Sequence, residues 1–361
     1  MDRLNVVFTG GGTGGHLYPA IAIAQALGER ANVTFIGSAD RLEATIVPNA
    51  GYPLITVKSA PAKRAYVNLP GVFQAMSALR RLRPDIVIAT GGYVALPVVL
   101  AARILRELKQ NHAAIALLEP NARPGLTNRL LAPLVDEVWG AFPGGDPRFA
   151  GKYVQTGIPV RATLRALPSR DAAIERLGLS SKRNTLLAMG GSQGARSIND
   201  ALTSLLKSDG LPEGWQLIHV TGEKEYDRVR SALGREEGAL RAYLNDVGDA
   251  YAAADLVLAR AGASTLGELA ATGRPAILVP YPHAAEDHQR ANADTVARAG
   301  AAVVVDDRDL IAGKLREILA EVTQPSRLGD LRAAAERARS IDPVTTILAR
   351  VDALTTRKNR M

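Results

Sequence analysis

What most restricts this chain is a repeated grammar: a short apolar run, a glycine-rich turn, then a helical pattern. It opens the chain as "NVVFTGGGTGGHLYPAIAIAQALGE" and returns in the second half as "TLLAMGGSQGARSINDALTSLL", with Gly190 in the place that Gly10 holds earlier. A second pair agrees, since "PDIVIATGGYVALPVVLAA" from Pro84 and "ADLVLARAGASTLGELAA" from Ala254 each set a strand ahead of a glycine turn and a helix. Runs such as "IVIAT" and "AIALLE" are apolar on both faces, as strands are when helices cover both sides of a parallel sheet. The expectation is an α/β protein of two similar doubly wound parallel-sheet domains in tandem. The 361 residues suit two domains. The Pro- and Gly-rich "AFPGGDPRFAGKYVQTGIPV" puts the boundary near residue 158, giving domains 1–158 and 159–340. The last stretch, 341–361, is broken from the preceding helix by Pro343 and is expected to cross back to the first domain.

Composition narrows the function. The chain has no cysteine, which excludes disulfides, thiolate metal sites and cysteine nucleophiles, and suits a cytoplasmic setting. A net charge of +8 calls for an anionic partner: nucleic acid, phosphorylated ligand or acidic lipid. Aromatic residues are only 4% and do not interleave with the basic ones, so the stacking that single-strand binders need is missing and nucleic acid is not expected. The apolar run before the first glycines, "VVF", is too short for a signal peptide, and no run approaches the ~18 residues of a spanning helix. A soluble or peripheral protein is expected.

Gly10, Gly12 and Gly15 satisfy G-x-G-x-x-G between strand and helix. Such a turn lets the backbone approach a phosphate and aims N–H groups at it, helped by the positive end of the helix dipole. Two departures argue against the best-known owners of that pattern. The second strand, in "VTFIGSAD", ends at Gly37 without a ribose-binding carboxylate and reaches Asp40 only later; and His16 stands where a Walker loop requires lysine. "GGSQGARS" repeats the device with a hydroxyl at Ser192. One anion cradle per domain predicts a ligand, or two, in a cleft faced by the carboxyl ends of both sheets.

Four further features have two readings each. Thr265 and Glu268 have the spacing of a capping box, while a carboxylate in a first helical turn can also accept both hydroxyls of a ribose. His16 is either an ordinary loop histidine or, beside an anion cradle, a base that takes a proton near neutral pH. "DDRD" at Asp306–Asp309 mimics a D-x-D metal motif, yet it precedes the helix "LIAGKLREILAEV", so Asp309 reads as an N-cap and no metal is expected. Finally, Leu69, Val72, Phe73, Met76 and Leu79 form an apolar stripe among Lys58, Lys63, Arg64, Arg80, Arg81 and Arg83. It packs on its own domain or, if exposed, meets an anionic bilayer.

Taken together, "GGTGGHLYPA", "GGYVALP", "PGLTNR", "GGSQGAR" and "RAGASTLGELAATGRPAILVPYPHAAEDHQRANA" resemble, in order and across nearly the whole chain, the MurG family. These bacterial glycosyltransferases move N-acetylglucosamine from UDP-N-acetylglucosamine to the 4-hydroxyl of undecaprenyl-pyrophosphoryl-N-acetylmuramoyl pentapeptide (lipid I), giving lipid II for peptidoglycan. The resemblance implies a GT-B fold of two Rossmann-like domains facing a cleft, and inverting, metal-independent chemistry without a cofactor. It also implies a peripheral place on the cytoplasmic face of the inner membrane, against its anionic lipid. Residue by residue it implies that Ser192 and Arg161 meet the diphosphate, Leu244 packs on uracil and Glu268 holds the ribose. Ala263, Ser264, Thr265, Leu266 and Gly267 would line the nucleotide, and Gln289 would bind the sugar hydroxyls. Asn121, Thr13, Gly14 and Gly15 would reach in from the first domain, with His16 as the base that deprotonates the acceptor. Two stretches depart from the family: Leu118-Glu119-Pro120-Asn121 stands for His-Glu-Gln-Asn, and Gly157-Ile158-Pro159-Val160-Arg161 for Gly-Asn-Pro-Val-Arg. Rival readings are another GT-B glycolipid synthase, a sugar-nucleotide epimerase and, from a different class, a dinucleotide-binding oxidoreductase.

Overall fold

The computed structural model describes residues 3–60, 68–191, 194–234, 239–244, 246–339 and 342–358. The chain divides into two compact units, Met1–Arg161 with Ile341–Met361, and Ala162–Ser340.

The first unit carries strands β1 (Leu4–Gly10), β2 (Ala31–Gly37), β3 (Leu54–Thr56), β4 (Ile86–Gly91), β5 (Ala114–Glu119), β6 (Glu137–Gly140) and β7 (Tyr153–Gln155). They form one sheet in the order β3-β2-β1-β4-β5-β6-β7, with parallel pairings throughout. The helices are α1 (Gly14–Leu27), α2 (Glu43–Asn49), α3 (Asn68–Leu82), α4 (Ala95–Glu107) and α5 (Leu126–Leu131). Alternation along β1 divides the core between two faces: Val6 and Phe8 pack with Leu17 and Ile23 of α1, whereas Val7 packs with Leu79 of α3 and Val98 of α4. Both faces are thus dry, which is why β4 and β5 are apolar at nearly every position and wholly buried.

The second unit repeats the plan with β8 (Asn184–Met189), β9 (Trp215–Val220), β10 (Ala239–Arg241), β11 (Leu256–Ala259), β12 (Ala276–Leu278) and β13 (Ala302–Val304), ordered β10-β9-β8-β11-β12-β13 and again parallel. Its helices are α6 (Ala162–Arg165), α7 (Arg170–Leu177), α8 (Arg196–Ser208), α9 (Glu223–Leu233), α10 (Gly248–Ala253), α11 (Ala263–Thr272), α12 (His288–Arg298), α13 (Ala312–Val322) and α14 (Pro325–Ala338). Leu202 and Leu205 of α8 and Leu315 and Leu319 of α13 close one face over Leu186, Ala188 and Leu258. In each sheet the chain reverses its winding at the first strand, between β1 and β4 and between β8 and β11. Loops leaving the carboxyl ends of such a pair splay apart and open a crevice for a ligand.

The last helix, α15 (Pro343–Lys358), belongs to the first unit. Pro343 starts it, where the missing N–H costs nothing. Ile347, Val351 and Leu354 join the α1 face of the first sheet, each burial worth roughly 2 kcal/mol. Arg350 adds a salt bridge to the buried Glu137, its Nε at 3.0 Å from Oε2.

Three sequence readings are corrected here. Helix α11 begins at Ala263 behind an extended Gly262, so Thr265 is already inside the first turn and no capping box forms with Glu268. Asp309 ends a short 3-10 turn, Asp307–Asp309, and α13 is preceded by Ile311, so Asp309 caps nothing. The stripe on α3 splits: Val72, Met76 and Leu79 are buried, whereas Leu69 and Phe73 are 61% and 64% exposed. Arg80, Arg81 and Lys58 are exposed beside them, while Lys63 and Arg64 lie outside the described residues.

Candidate functional site

In the first unit the loop after β1 meets the loop after β4. Gly10 pairs with Gly91 after a register shift at the strand ends, and Gly11 N–H donates to Gly91 O at 3.3 Å. Gly12 N–H donates to Glu43 Oε2 at 3.0 Å. The expected cradle therefore does not use its first glycines, whose N–H groups are already committed to the protein. The N–H groups of α1's first turn, at Gly14 and Gly15, have no partner within the helix and receive no cap from the Thr13 side chain. Thr13 precedes the helix in extended conformation, and its exposed hydroxyl makes no capping bond.

His16 is the third residue of α1 and half-buried. Its ring lies against Gly91, where a methyl group would stand 2.8 Å from Cε1 and 3.0 Å from Nδ1. The same methyl would be 3.2 Å from Asn128 Oδ1, so imidazole and amide share the space that the missing side chain leaves. Asn128, on α5, is buried and donates Nδ2 to Glu119 Oε2 at 2.8 Å and to Leu118 O at 3.3 Å. Both bonds use the nitrogen, which turns the amide oxygen toward Gly91. Glu119, at the end of β5 and 2% exposed, also accepts Asn121 N–H at 2.9 Å and Asn121 Nδ2 at 3.2 Å. Burial pushes its carboxyl up to about 7, against the lowering effect of donors from Asn121, Asn128 and Gly125. Of the residues expected from the first domain, the structure thus groups His16 with the glycine loop, and Asn121 with a buried carboxyl linked through Asn128 to the same place. Arg161, which ends the first segment of the unit, lies with its guanidinium 5.5 Å from the Tyr18 ring centroid, two residues along α1 from His16.

In the second unit the loop after β8 leads into α8. Ser192 lies outside the described residues. A side chain at Gly194 would strike the Thr221 carbonyl, and Gly194 has φ +75, so the turn requires glycine there. Ser197, in the first turn of α8, donates Oγ–H to Asp307 Oδ1 at 2.5 Å and accepts from Arg260 Nη2 at 3.0 Å. Arg260 also pairs with Asp307 and lies over Tyr281 at 5.5 Å. The aspartates of "DDRD" therefore serve as anchors: Asp307 for Arg260 and Ser197, Asp306 for Arg290.

Ala263, Ser264 and Thr265 form the half-buried first turn of α11, with Leu266 and Gly267 buried behind them. One turn on, Glu268 Oε2 accepts the hydroxyl of the wholly buried Tyr251 at 2.9 Å. Gln289, on α12, accepts Tyr281 N–H through Oε1 at 3.0 Å, and its Nε2 lies 3.9 Å from where a side chain on Gly262 would begin. The geometry joins Gln289 to the start of α11. Leu244 lies half-buried before α10, beside an exposed Tyr243, with no bond to the α11 group. Sequence reasoning named no role for Asn128, Gly91, Tyr251 or Arg260. "GGYVALP" and "PGLTNR" contained the first two as pattern alone.

Residues 6–139 match the glycosyltransferase family 28 N-terminal domain and residues 185–344 the glycosyltransferase family 28 C-terminal domain. The UDP-N-acetylglucosamine--N-acetylmuramyl-(pentapeptide) pyrophosphoryl-undecaprenol N-acetylglucosamine transferase of Moorella thermoacetica is 42% identical, over 94% of this chain and 95% of its own. The protein of the same name from Halothermothrix orenii is 38% identical, over 92% of this chain and 94% of its own. Among solved structures, MurG of Acinetobacter baumannii superposes with a TM-score of 0.80 at 27% identity, covering 98% of this chain and 100% of that one.

Proposed function

The chain belongs to glycosyltransferase family 28, and from that premise we propose that it moves N-acetylglucosamine from UDP-N-acetylglucosamine to the 4-hydroxyl of lipid I, yielding lipid II. The observation that carries this reading is the near-full-length likeness to transferases named for that reaction, since a GT-B fold by itself hosts several chemistries. The two units fit the division of labour. In the second, Glu268, the first turn of α11 and Gln289 suit a ribose and a sugar, while Ser192 would meet the diphosphate and Leu244 the uracil; Arg161, a residue of the first unit, is the further cation assigned to the diphosphate. In the first, the N–H groups of Gly14 and Gly15 suit the acceptor's pyrophosphate, and Thr13 and Asn121 would serve the sugar, as the family resemblance implies.

His16 is the base in this reading. Its imidazole takes the proton of the attacking 4-hydroxyl as the oxygen displaces UDP at the anomeric carbon with inversion. The charge growing on UDP is met by N–H groups, a helix N-terminus and a guanidinium, with no metal invoked. Exposed Leu69 and Phe73 beside Arg80 and Arg81 support a peripheral contact with anionic lipid on the face where lipid I is presented. No helix among the described residues is long and apolar enough to cross a membrane.

The test is turnover of UDP-N-acetylglucosamine with a lipid I analogue in the presence of EDTA. A disaccharide-linked lipid and free UDP are expected. Epimerised or hydrolysed donor without acceptor would displace the reading in favour of an epimerase-like activity, and a requirement for a divalent ion would remove its metal-free part.

A further inference from the structure

Glu43 opens α2 and is 1% exposed. Its carboxyl accepts Gly12 N–H at 3.0 Å on one oxygen and Ser38 N–H at 3.1 Å on the other, together with the Ser38 hydroxyl. A carboxyl that deep in a protein is costly unless its acceptor positions are filled, and here they are filled from two separate loops. The surroundings are cleared for it by glycine. A side chain at Gly11 would fall on the carboxyl itself, and one at Gly37 would begin 2.8 Å from Glu43 Cγ. On the opposite side of the loop, a side chain at Gly92 would fall on the Gly11 carbonyl. The turn before α1 is therefore clamped, with Glu43 behind it and Gly91–Gly92 in front.

We propose that Glu43 is a positioning residue for the acceptor step. By holding Gly12, whose φ of +82 is open to few residues other than glycine, it sets where Thr13, the first-turn N–H groups of Gly14 and Gly15, and the His16 ring stand. The inference rests on the reading above that this loop faces the acceptor. It also accounts for a departure from dinucleotide-binding chains, which place a ribose-binding carboxylate at the end of the second strand. In this fold a carboxyl does stand beside the end of β2, but it is turned inward onto the protein's own glycine loop.

The experiment is Glu43→Gln, which keeps the size and puts an NH2 group where one oxygen accepts. Misplacing a reacting group by about 1 Å costs up to about a hundredfold, so kcat/KM for a lipid I analogue should fall about ten- to hundredfold. UDP affinity by calorimetry and the melting temperature should hold. Unchanged acceptor kinetics would overturn the proposal, and so would a parallel loss of UDP affinity and melting temperature, which marks a general packing role. A second measurement guards against a poorly folded variant. Gly11→Ala should harm the acceptor step less in a Glu43→Ala background than in the native one, because the clash is with Glu43; additive effects would count against it. If His16→Ala abolishes transfer while Glu43→Gln transfers normally, this inference alone fails. If His16→Ala transfers normally, the acceptor-loop reading fails and takes the inference with it.

Discussion

Tyr251 donates its hydroxyl to Glu268 Oε2 across 2.9 Å, and its ring is wholly buried behind α11. A carboxylate with one oxygen pinned in this way presents a fixed plane to a ribose, and fixed acceptors lose less entropy on binding than mobile ones. Glu268→Ala should weaken UDP binding and erase the preference for UDP over its 2′-deoxy analogue. Tyr251→Phe should do the same more mildly, by about fivefold, the size of one hydrogen bond. Calorimetry with both nucleotides checks this; a Glu268→Ala protein that still discriminates would take Glu268 out of the ribose site.

Gly91 and His16 make a pair of the opposite kind, in which an absent side chain makes room for a present one. Gly91→Ala would set a methyl 2.8 Å from His16 Cε1 at a φ of +97, so the ring must move or the strand end must. Gly91→Ala is therefore expected to lower kcat although every polar group survives. His16→Ala should lower kcat by about 10²- to 10⁴-fold, with KM for the nucleotide sugar nearly unchanged. Steady-state kinetics on both variants decides, and a near-normal kcat for His16→Ala would place the base elsewhere.

The exposed part of α3 offers a simpler measurement. Leu69 and Phe73 follow one another by one helical turn on the solvent side, while Val72, Met76 and Leu79 hold the helix down. Replacing both exposed residues by serine should leave the melting temperature within a few degrees and reduce co-sedimentation with anionic vesicles. Binding unchanged by the double substitution would assign the surface another use.

The repeat of strand, glycine turn and helix made both sheets legible in the sequence, because a parallel strand buried on both faces must be continuously apolar. The glycine loops were legible for a related reason: turns such as the one at Gly194 exclude side chains. What could not be read were groups defined by burial. Glu43 reaches Gly12 from α2, Asn128 reaches Glu119 from α5 and Tyr251 reaches Glu268 from α10, and no local spacing marks such pairs. The α11 cap was misplaced because alanine starts a helix without side-chain help once Gly262 is extended, so a serviceable Thr-x-x-Glu pattern sat three positions past the N-cap. On α3, five apolar residues at helical spacing read as one stripe, and only packing against α4 separates the buried Val72, Met76 and Leu79 from the exposed Leu69 and Phe73.

Two buried titrating groups give the units opposite responses to acid. Glu119 in the first unit is raised from 4.5 to about 7 by burial, so between those values the folded form keeps a proton that the unfolded chain has released. Its contribution to stability is full below about 4.5 and is lost as pH rises through about 7. His219 in the second unit lies on β9 with Nε2 2.9 Å from Asn199 Oδ1, and burial lowers it from 6.5 to about 4. There the unfolded chain takes up the extra proton, so stability is full above about 6.5 and is lost as pH falls through about 4. Each limb amounts to roughly 3 kcal/mol. Between pH 4.5 and 6.5 the first unit should therefore weaken relative to the second as pH rises. The chain has two tryptophans, Trp139 in the first unit and Trp215 in the second, so fluorescence of single-tryptophan variants reports each unit during urea unfolding. Their midpoints should shift in opposite directions across that window, and Glu119→Gln should abolish the shift of the first alone. Midpoints that move together in both proteins would show that these two groups do not govern the acid response.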